Sequence, residues 1–388
     1  MVGGACHRRP PELSAQRRGG RTLPAPSEAE RDTLGGAIAC SSDPTRPAIL
    51  LFHGLHQNKS TWTAPSRTGY AWDYRGSPGE ERIGDTHEEA RAGPHHVGRS
   101  EWLYGNDSTW DKRVNWFDYL RKQNFTVATF SQPHETFGAA YPSADTAFEK
   151  FLEHTAARNP GAPPPVALVA HSRGGLLIRK LLKEKGSRGR VRWVVTIHTP
   201  HKGSEQGRLP GQLGAEVVDL WESWLPGQMP ASIRNEAKEV IMEGLRPLTK
   251  MIWKDENREF IPDGPLLRGL AEGEDSLPGV KYYTFGGTNP TVFRLYLWNY
   301  DAMSAVPQFK GPDKYFVWRI KPVEIGPLSP IPDALRDVIR EIKPGFGDIL
   351  VTDESARLPW STHFTDQLNH AEIMWNRDLQ KKVVDLIK

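Results

Sequence analysis

Two kinds of hydrophobic pattern alternate along the chain. Short apolar runs recur at Ala48–Phe52, Phe125–Phe130, Val166–Ala170, Val191–Ile197 and Val280–Phe285. They are β-branched in part, too short for packed helices, and mostly bounded by Pro or Gly, so each predicts a buried strand. Between them lie stretches with helical spacing. Trp110–Lys122 carries Val114, Phe117 and Leu120 on one face, and Asp145–Ala157 carries Phe148, Phe151 and Leu152. From Gly174 to Gly186, Leu176, Leu177, Ile178, Leu181 and Leu182 predict a packed helix. Pro332–Ile342 predicts a short helix with proline in its first turn, and a last helix is expected from about Asn376 to Ile387. Strands alternating with helices imply an α/β class, a mainly parallel, doubly wound sheet with its loops at the carboxyl edge.

Four stretches break that alternation. Residues 1–45 are rich in Arg, Pro, Gly and Ser and predict a mobile tail, leaving 46–388 as the folded unit, with Ala48–Phe52 as its first strand. Residues 57–108 form an insertion too long for an ordinary connection, with Trp62, Tyr70, Trp72, Tyr74, Trp102 and Tyr104. Its Asp85, His87, His95 and His96 match no zinc spacing and are expected to be solvated. Residues 205–278 show helical spacing without strands, from Ala215–Leu225 to Leu245. They predict a helical cap, or lid, above the sheet edge. A second cap insertion is expected over 288–345, with aromatic stretches at Tyr296–Tyr300 and Tyr315–Trp318.

Composition narrows the function classes. A net charge of +3 on 388 residues demands neither nucleic acid nor an anionic membrane as partner. The thirteen tryptophans suit an apolar substrate surface as well as a large core. Cys6 and Cys40 both lie near the N-terminus and cannot staple the body of the fold. No apolar run could cross a bilayer; the early arginines are followed by no apolar h-region, so a secretory signal, or a lipoprotein cleavage box at Ala37-Ile-Ala-Cys40, is not expected. A cytoplasmic protein is expected, or a secreted one if the N-terminus is incomplete. Oligomeric state is not legible.

The chemistry centres on Ala170-His-Ser-Arg-Gly-Gly175, set between a predicted strand and helix. That is the context of a G-x-S-x-G nucleophile elbow, with alanine at the first position. The turn would lift Ser172 out of the sheet and place the Arg173 N–H at a helix N-terminus, where it can donate to an oxyanion. The strand ending in His53-Gly54-Leu55 offers the Leu55 N–H as a second donor. A serine hydroxyl needs an imidazole to take its proton and a carboxylate to orient that imidazole. Asp348 and His370 follow in the order Ser, Asp, His. Asp353 and Glu354 are rival acids. His53, His56, His198 and His201 precede any late acid, so chain order disfavours them; His363 remains a competitor.

Taken together, the His53-Gly-Leu55, Ala170–Gly175, Thr199-Pro-His-Lys-Gly-Ser204, Tyr282–Gly287, Gly347-Asp348 and Leu368-Asn-His370 segments resemble, in this order, bacterial true lipases and related serine esterases of the α/β-hydrolase fold. Asp263–Leu270 resembles the cap exit of such enzymes, and the likeness runs from about Ala48 to the C-terminus. It implies Ser172 as nucleophile, Asp348 as acid, His370 as base, and Leu55 and Arg173 as oxyanion donors. It also implies a hydrophobic ester substrate, lipid-interface contact without a transmembrane segment, and no required cofactor. Family lipases often bind calcium near the catalytic histidine, which makes Glu372 a candidate ligand. The Thr-Pro-His-x-Gly-Ser stretch is expected to be structural. Ile349 departs from the family, which usually has glycine after the acid. Acyl transfer to an alcohol, amide or polyester hydrolysis, and an idle binding protein are the alternatives.

Overall fold

The apolar runs become the strands of one sheet. A computed structural model describes residues 37–55, 59–63, 81–84, 99–100, 115–133, 136–208, 255–290, 295–301, 316–323, 339–370, 372–374 and 376–388. In chain order the elements begin β1 (Ala37–Ala39), β2 (Ala48–Phe52), α1 (Ser60–Thr63), β3 (Glu81–Gly84), β4 (Arg99–Ser100), α2 (Trp116–Lys122) and β5 (Thr126–Thr129). They continue with α3 (Phe137–Arg158), β6 (Val166–His171), α4 (Arg173–Lys185), β7 (Val191–Ile197), α5 (Pro265–Ala271) and β8 (Lys281–Gly287). Then come β9 (Leu295–Asp301), β10 (Phe316–Val323), β11 (Thr362–Asp366) and α6 (Arg377–Leu386).

Seven strands form the main sheet in the order β1-β5-β2-β6-β7-β8-β11. All neighbours are parallel except β1, which runs antiparallel to β5. Strand residues alternate between the two faces, as the pleat requires. Leu50, Phe52, Leu168 and Ala170 pack with α3, α4 and α5, while Ile49, Leu51, Val169 and Val195 pack with α2 and α6. Both faces are covered, which is why the central strands read as unbroken apolar runs. Trp62 and Trp116 meet edge to face at 5.8 Å on the second face, and the Trp116 indole donates to the Ile373 carbonyl at 2.7 Å. These two tryptophans therefore fill core.

From β2 the chain steps one way to β5; from β6 it steps the other way to β7, β8 and β11. The order reverses between β2 and β6, and ligands in open α/β sheets bind outside the carboxyl ends at such a reversal. The segments leaving the sheet there are His53–Leu55 and the Ser172 turn.

Several boundaries differ from the sequence expectation. The sheet takes in β1, within the stretch expected as tail, because Ala37–Ala39 pairs residue for residue with Thr129–Val127. Helix α3 begins eight residues before Asp145: Thr136 caps it by accepting from the Ala139 N–H, and Phe137, Ala140 and Ala144 extend the buried stripe past Pro142. β11 was not expected at all. Within the second cap insertion the described residues hold β9 and β10, which pair antiparallel, and a 3-10 turn at Arg340–Ile342. The two strands join β3 and β4 of the 57–108 insertion in a four-stranded sheet of order β3-β10-β9-β4, so two insertions distant in sequence share one structure. Of 205–278, the described ends hold the 3-10 turns Glu205–Arg208 and Asp255–Phe260 and helix α5. The helices expected over 215–245 lie outside the described residues, as do Asp85, His87, His95, His96 and residues 332–338 of the expected short helix.

Candidate active site

Ser172 sits between β6 and α4 with φ 54° and ψ −131°. For a residue with a Cβ this is a sparsely populated conformation, costing on the order of 1–3 kcal/mol unless its surroundings fix it. Here they do. The Ser172 N–H donates to the Ile197 carbonyl at 3.0 Å, and its carbonyl accepts from the Gly175 N–H at 3.0 Å and from Thr199 Oγ1 at 2.9 Å. The next residues are packed hard against β2. A Cβ on Gly174 would lie 2.7 Å and 2.8 Å from the Phe52 and His53 carbonyl oxygens, so only glycine fits where α4 begins. That contact brings the first turn of α4 to the His53-Gly54-Leu55 loop. A strained serine lifted from a parallel sheet onto a helix N-terminus, at the point where strand order reverses, decides the architecture. The fold is that of an α/β-hydrolase.

The loops at this sheet edge are braced by buried side chains. His53 Nε2 accepts from the Gln132 backbone N–H at 3.2 Å, which puts the ring proton on Nδ1, 2.9 Å from the Gly54 carbonyl. Gln132 Nε2 also donates to the His53 carbonyl at 2.8 Å. The Arg173 guanidinium, buried, donates to the Pro133 carbonyl at 2.7 Å. Both segments bearing the expected oxyanion donors are thus tied to the chain leaving β5. The Arg173 N–H lies in the first turn of α4, where no helical acceptor exists.

Asp348 and His370 meet above the sheet. Asp348 Oδ2 lies 2.8 Å from His370 Nδ1, and the His370 N–H donates to the Asp348 carbonyl at 2.9 Å. Asp348 is fully buried, its Oδ1 accepting from the Leu350 and Val351 N–H groups at 2.9 Å and 2.7 Å. Burial alone would raise its pKa, but the imidazoles of His370 and His198 outweigh that and hold the carboxyl well below its ordinary range. Ile349 follows at φ 90°, a left-handed backbone rare for a residue with a branched Cβ, and it is buried nonetheless.

The loop bearing His370 rests on the residue before Ser172. The rings of His171 and His370 are 4.6 Å apart, and His171 Nε2–H donates to the His370 carbonyl at 2.9 Å. Burial, with the neighbouring imidazoles, holds His171 well below the usual histidine range, so it stays a neutral wedge. Ser172 and His370 make no hydrogen bond to each other in this state, among the contacts of the described residues.

The rival groups are spent elsewhere. Asp353 pairs with His363 at 2.9 Å, and His363 Nδ1 lies 2.8 Å from Thr284 Oγ1. His201 Nε2 lies 2.8 Å from Thr196 Oγ1. His56 lies outside the described residues, and so does the Glu372 side chain on which calcium ligation was expected. Sequence reasoning passed over His198, whose Nδ1 lies 2.8 Å from Asp348 Oδ2, and Asp366, which lies beyond His198. Their only signal was placement: His198 directly follows a strand, and Asp366 lies four residues before His370. His198, Asp348 and His370 offer three ligand-type atoms within 4.8 Å. His370 Nδ1 is hydrogen-bonded to the Asp348 oxygen that His198 Nδ1 approaches as an ion-pair partner, so both imidazoles are already engaged with this carboxylate.

No protein-family model and no curated protein sequence matches the chain. Among solved structures, the mature form of Bacillus licheniformis lipase BlEst2 is similar at 13% identity, covering 91% of this chain and 98% of that one, with a TM-score of 0.49. A lipase-esterase related protein from Clostridium acetobutylicum ATCC 824 is 10% identical over 90% and 99% of the two chains, with a TM-score of 0.38. A deformylase from Pseudomonas putida S16 is 11% identical over 90% and 95%, with a TM-score of 0.36. Among the described residues no helix is long and apolar enough to cross a membrane.

Proposed function

We propose that this chain is a serine hydrolase that cleaves hydrophobic carboxylic esters through an acyl-enzyme. The observation that carries the proposal is the buried Asp348–His370 pair set against the strained Ser172 turn. Asp348 accepts a hydrogen bond from His370 Nδ1–H, which holds the ring proton there and leaves Nε2 as the proton acceptor that a serine nucleophile needs. Catalytic hydrogen bonds to the nucleophile often tighten only when substrate arrives, so the lack of a Ser172–His370 bond in this state is compatible with the reading. Attack by Ser172 Oγ on the ester carbonyl passes its proton to His370. Collapse of the tetrahedral species returns that proton to the leaving alcohol, and water then repeats the sequence to free the acid. The Leu55 and Arg173 N–H groups would hold the oxyanion, each contributing about 3–4 kcal/mol to barrier lowering.

The test is covalent labelling by a fluorophosphonate together with hydrolysis of p-nitrophenyl esters. Ser172→Ala is expected to abolish both while leaving the folded far-UV spectrum unchanged. Full turnover by Ser172→Ala would overturn the proposal, and an unlabelled wild type would point to a binding protein instead. A series of acyl-chain lengths beside an emulsified triglyceride separates lipase from esterase.

A further inference from the structure

His198 is the buried imidazole that the triad does not use. It ends β7 at φ 52°, with its N–H held by the Phe285 carbonyl at 2.8 Å and its side chain fully enclosed. Its ring stands between two carboxylates. Nδ1 lies 2.8 Å from Asp348 Oδ2, the same atom that engages His370 Nδ1, and Nε2 lies 3.3 Å and 3.4 Å from the two oxygens of Asp366. The Nδ1 approach is off the hydrogen-bonding line, so the contact with Asp348 is one of charge. The fit is close: a Cβ on Gly287 would come within 2.5 Å of His198 Cε1 and 2.7 Å of Asp348 Cβ. The other titratable groups facing this ring are His370, 6.0 Å away between centroids, and neutral His171.

We propose that His198, braced by Asp366, is a positioning residue that shares the Asp348 carboxylate with His370, fixing that carboxylate and tempering its pull on the proton of the base. A buried carboxylate with a single imidazole partner favours the protonated imidazole strongly. A second cation on the same oxygen weakens that preference, so the base stays free to accept the serine proton. Burial alone would push the His198 imidazole down; the charges of Asp366 and Asp348 outweigh it and raise it to about 10, which keeps His198 cationic through the working range. Asp366 balances the added charge, so the cluster holds two carboxylates against His198 and the base.

This inference rests on the esterase reading above, and fluorophosphonate labelling of wild type tests that reading separately. In labelled, active enzyme, His198→Gln removes the cation while keeping a polar side chain. The acidic limb of its kcat/KM profile is expected to move up by about one pH unit. The alkaline KM is expected to stay within about twofold of wild type. A role in packing alone would lower turnover without moving the limb. A folded His198→Gln enzyme with an unmoved or downward limb overturns the proposal. If that variant fails to fold, ¹⁵N-histidine spectra of wild type decide. An imidazole still doubly protonated at about pH 8.5 supports the proposal, and its absence overturns it.

Discussion

Gly174→Ala tests how closely the first turn of α4 is seated on β2. The added Cβ would lie 2.7 Å from the Phe52 carbonyl oxygen, 2.8 Å from that of His53 and 2.9 Å from Phe52 Cβ. None of these atoms can swing aside, because two are backbone and the third is bonded to it. Restoring ordinary contact means opening the helix from the strand by about 0.7 Å, against a fully packed core. Such overpacking costs about 1–3 kcal/mol of stability. The same displacement carries the Arg173 N–H away from the Leu55 loop. A misplacement of about 1 Å costs about a hundredfold in rate, so a loss of about tenfold or more in kcat is expected from the folded variant. Urea unfolding followed by tryptophan fluorescence reads the first effect, and p-nitrophenyl ester turnover reads the second. Gly269→Ala is the control. It lies within α5 with nothing inside 4 Å of the new Cβ, and should gain about 0.5–1 kcal/mol with no change in turnover. A Gly174→Ala protein with wild-type midpoint and wild-type kcat would refute the packing argument and the oxyanion geometry built on it.

The carboxylates can be told apart by exchange. Asp348→Asn leaves the loop bonds to Leu350 and Val351 but presents an amide to His370, and kcat should fall by about four orders of magnitude. Asp353→Asn should change turnover by less than about tenfold, since its partner is His363; the reverse pattern would reassign the acid. Stability should also depend on pH through His198. Its folded pKa lies above that of an unfolded histidine, so its contribution is complete below about pH 6.5 and is lost as pH rises toward about 10. Denaturation midpoints that fall over this window in wild type but not in His198→Gln are the expected result. Ile349→Gly relieves a left-handed backbone worth about 1–2 kcal/mol but forfeits a buried side chain worth about 2–5 kcal/mol. Net destabilisation is expected in the same urea assay, and a stabilised variant would mean that strain outweighs packing there.

What the sequence determined follows from burial. Ala48–Phe52 and Val166–Ala170 lie inside a sheet covered on both faces, so their side chains had to be apolar without interruption, and the strands could be read directly. The elbow was equally legible, because a serine forced into a strained turn beside a close helix–strand contact restricts its neighbours to small residues. β11 was hidden for the converse reason. It pairs only with β8 at the sheet edge, its residues are half exposed, and Thr-His-Phe-Thr-Asp shows no buried run. β1 and the hairpin β9–β10 gained their identity from partners remote in sequence, which no local pattern records. The same holds at the site. Chain order could nominate Asp348 and His370, but it ruled out His198 on grounds that apply only to a base. That His198 and His370 converge on one carboxylate oxygen follows from where the ends of β7, β8 and β11 come to lie side by side. Proximity across strands is a property of the folded sheet, and only the tertiary structure could supply it.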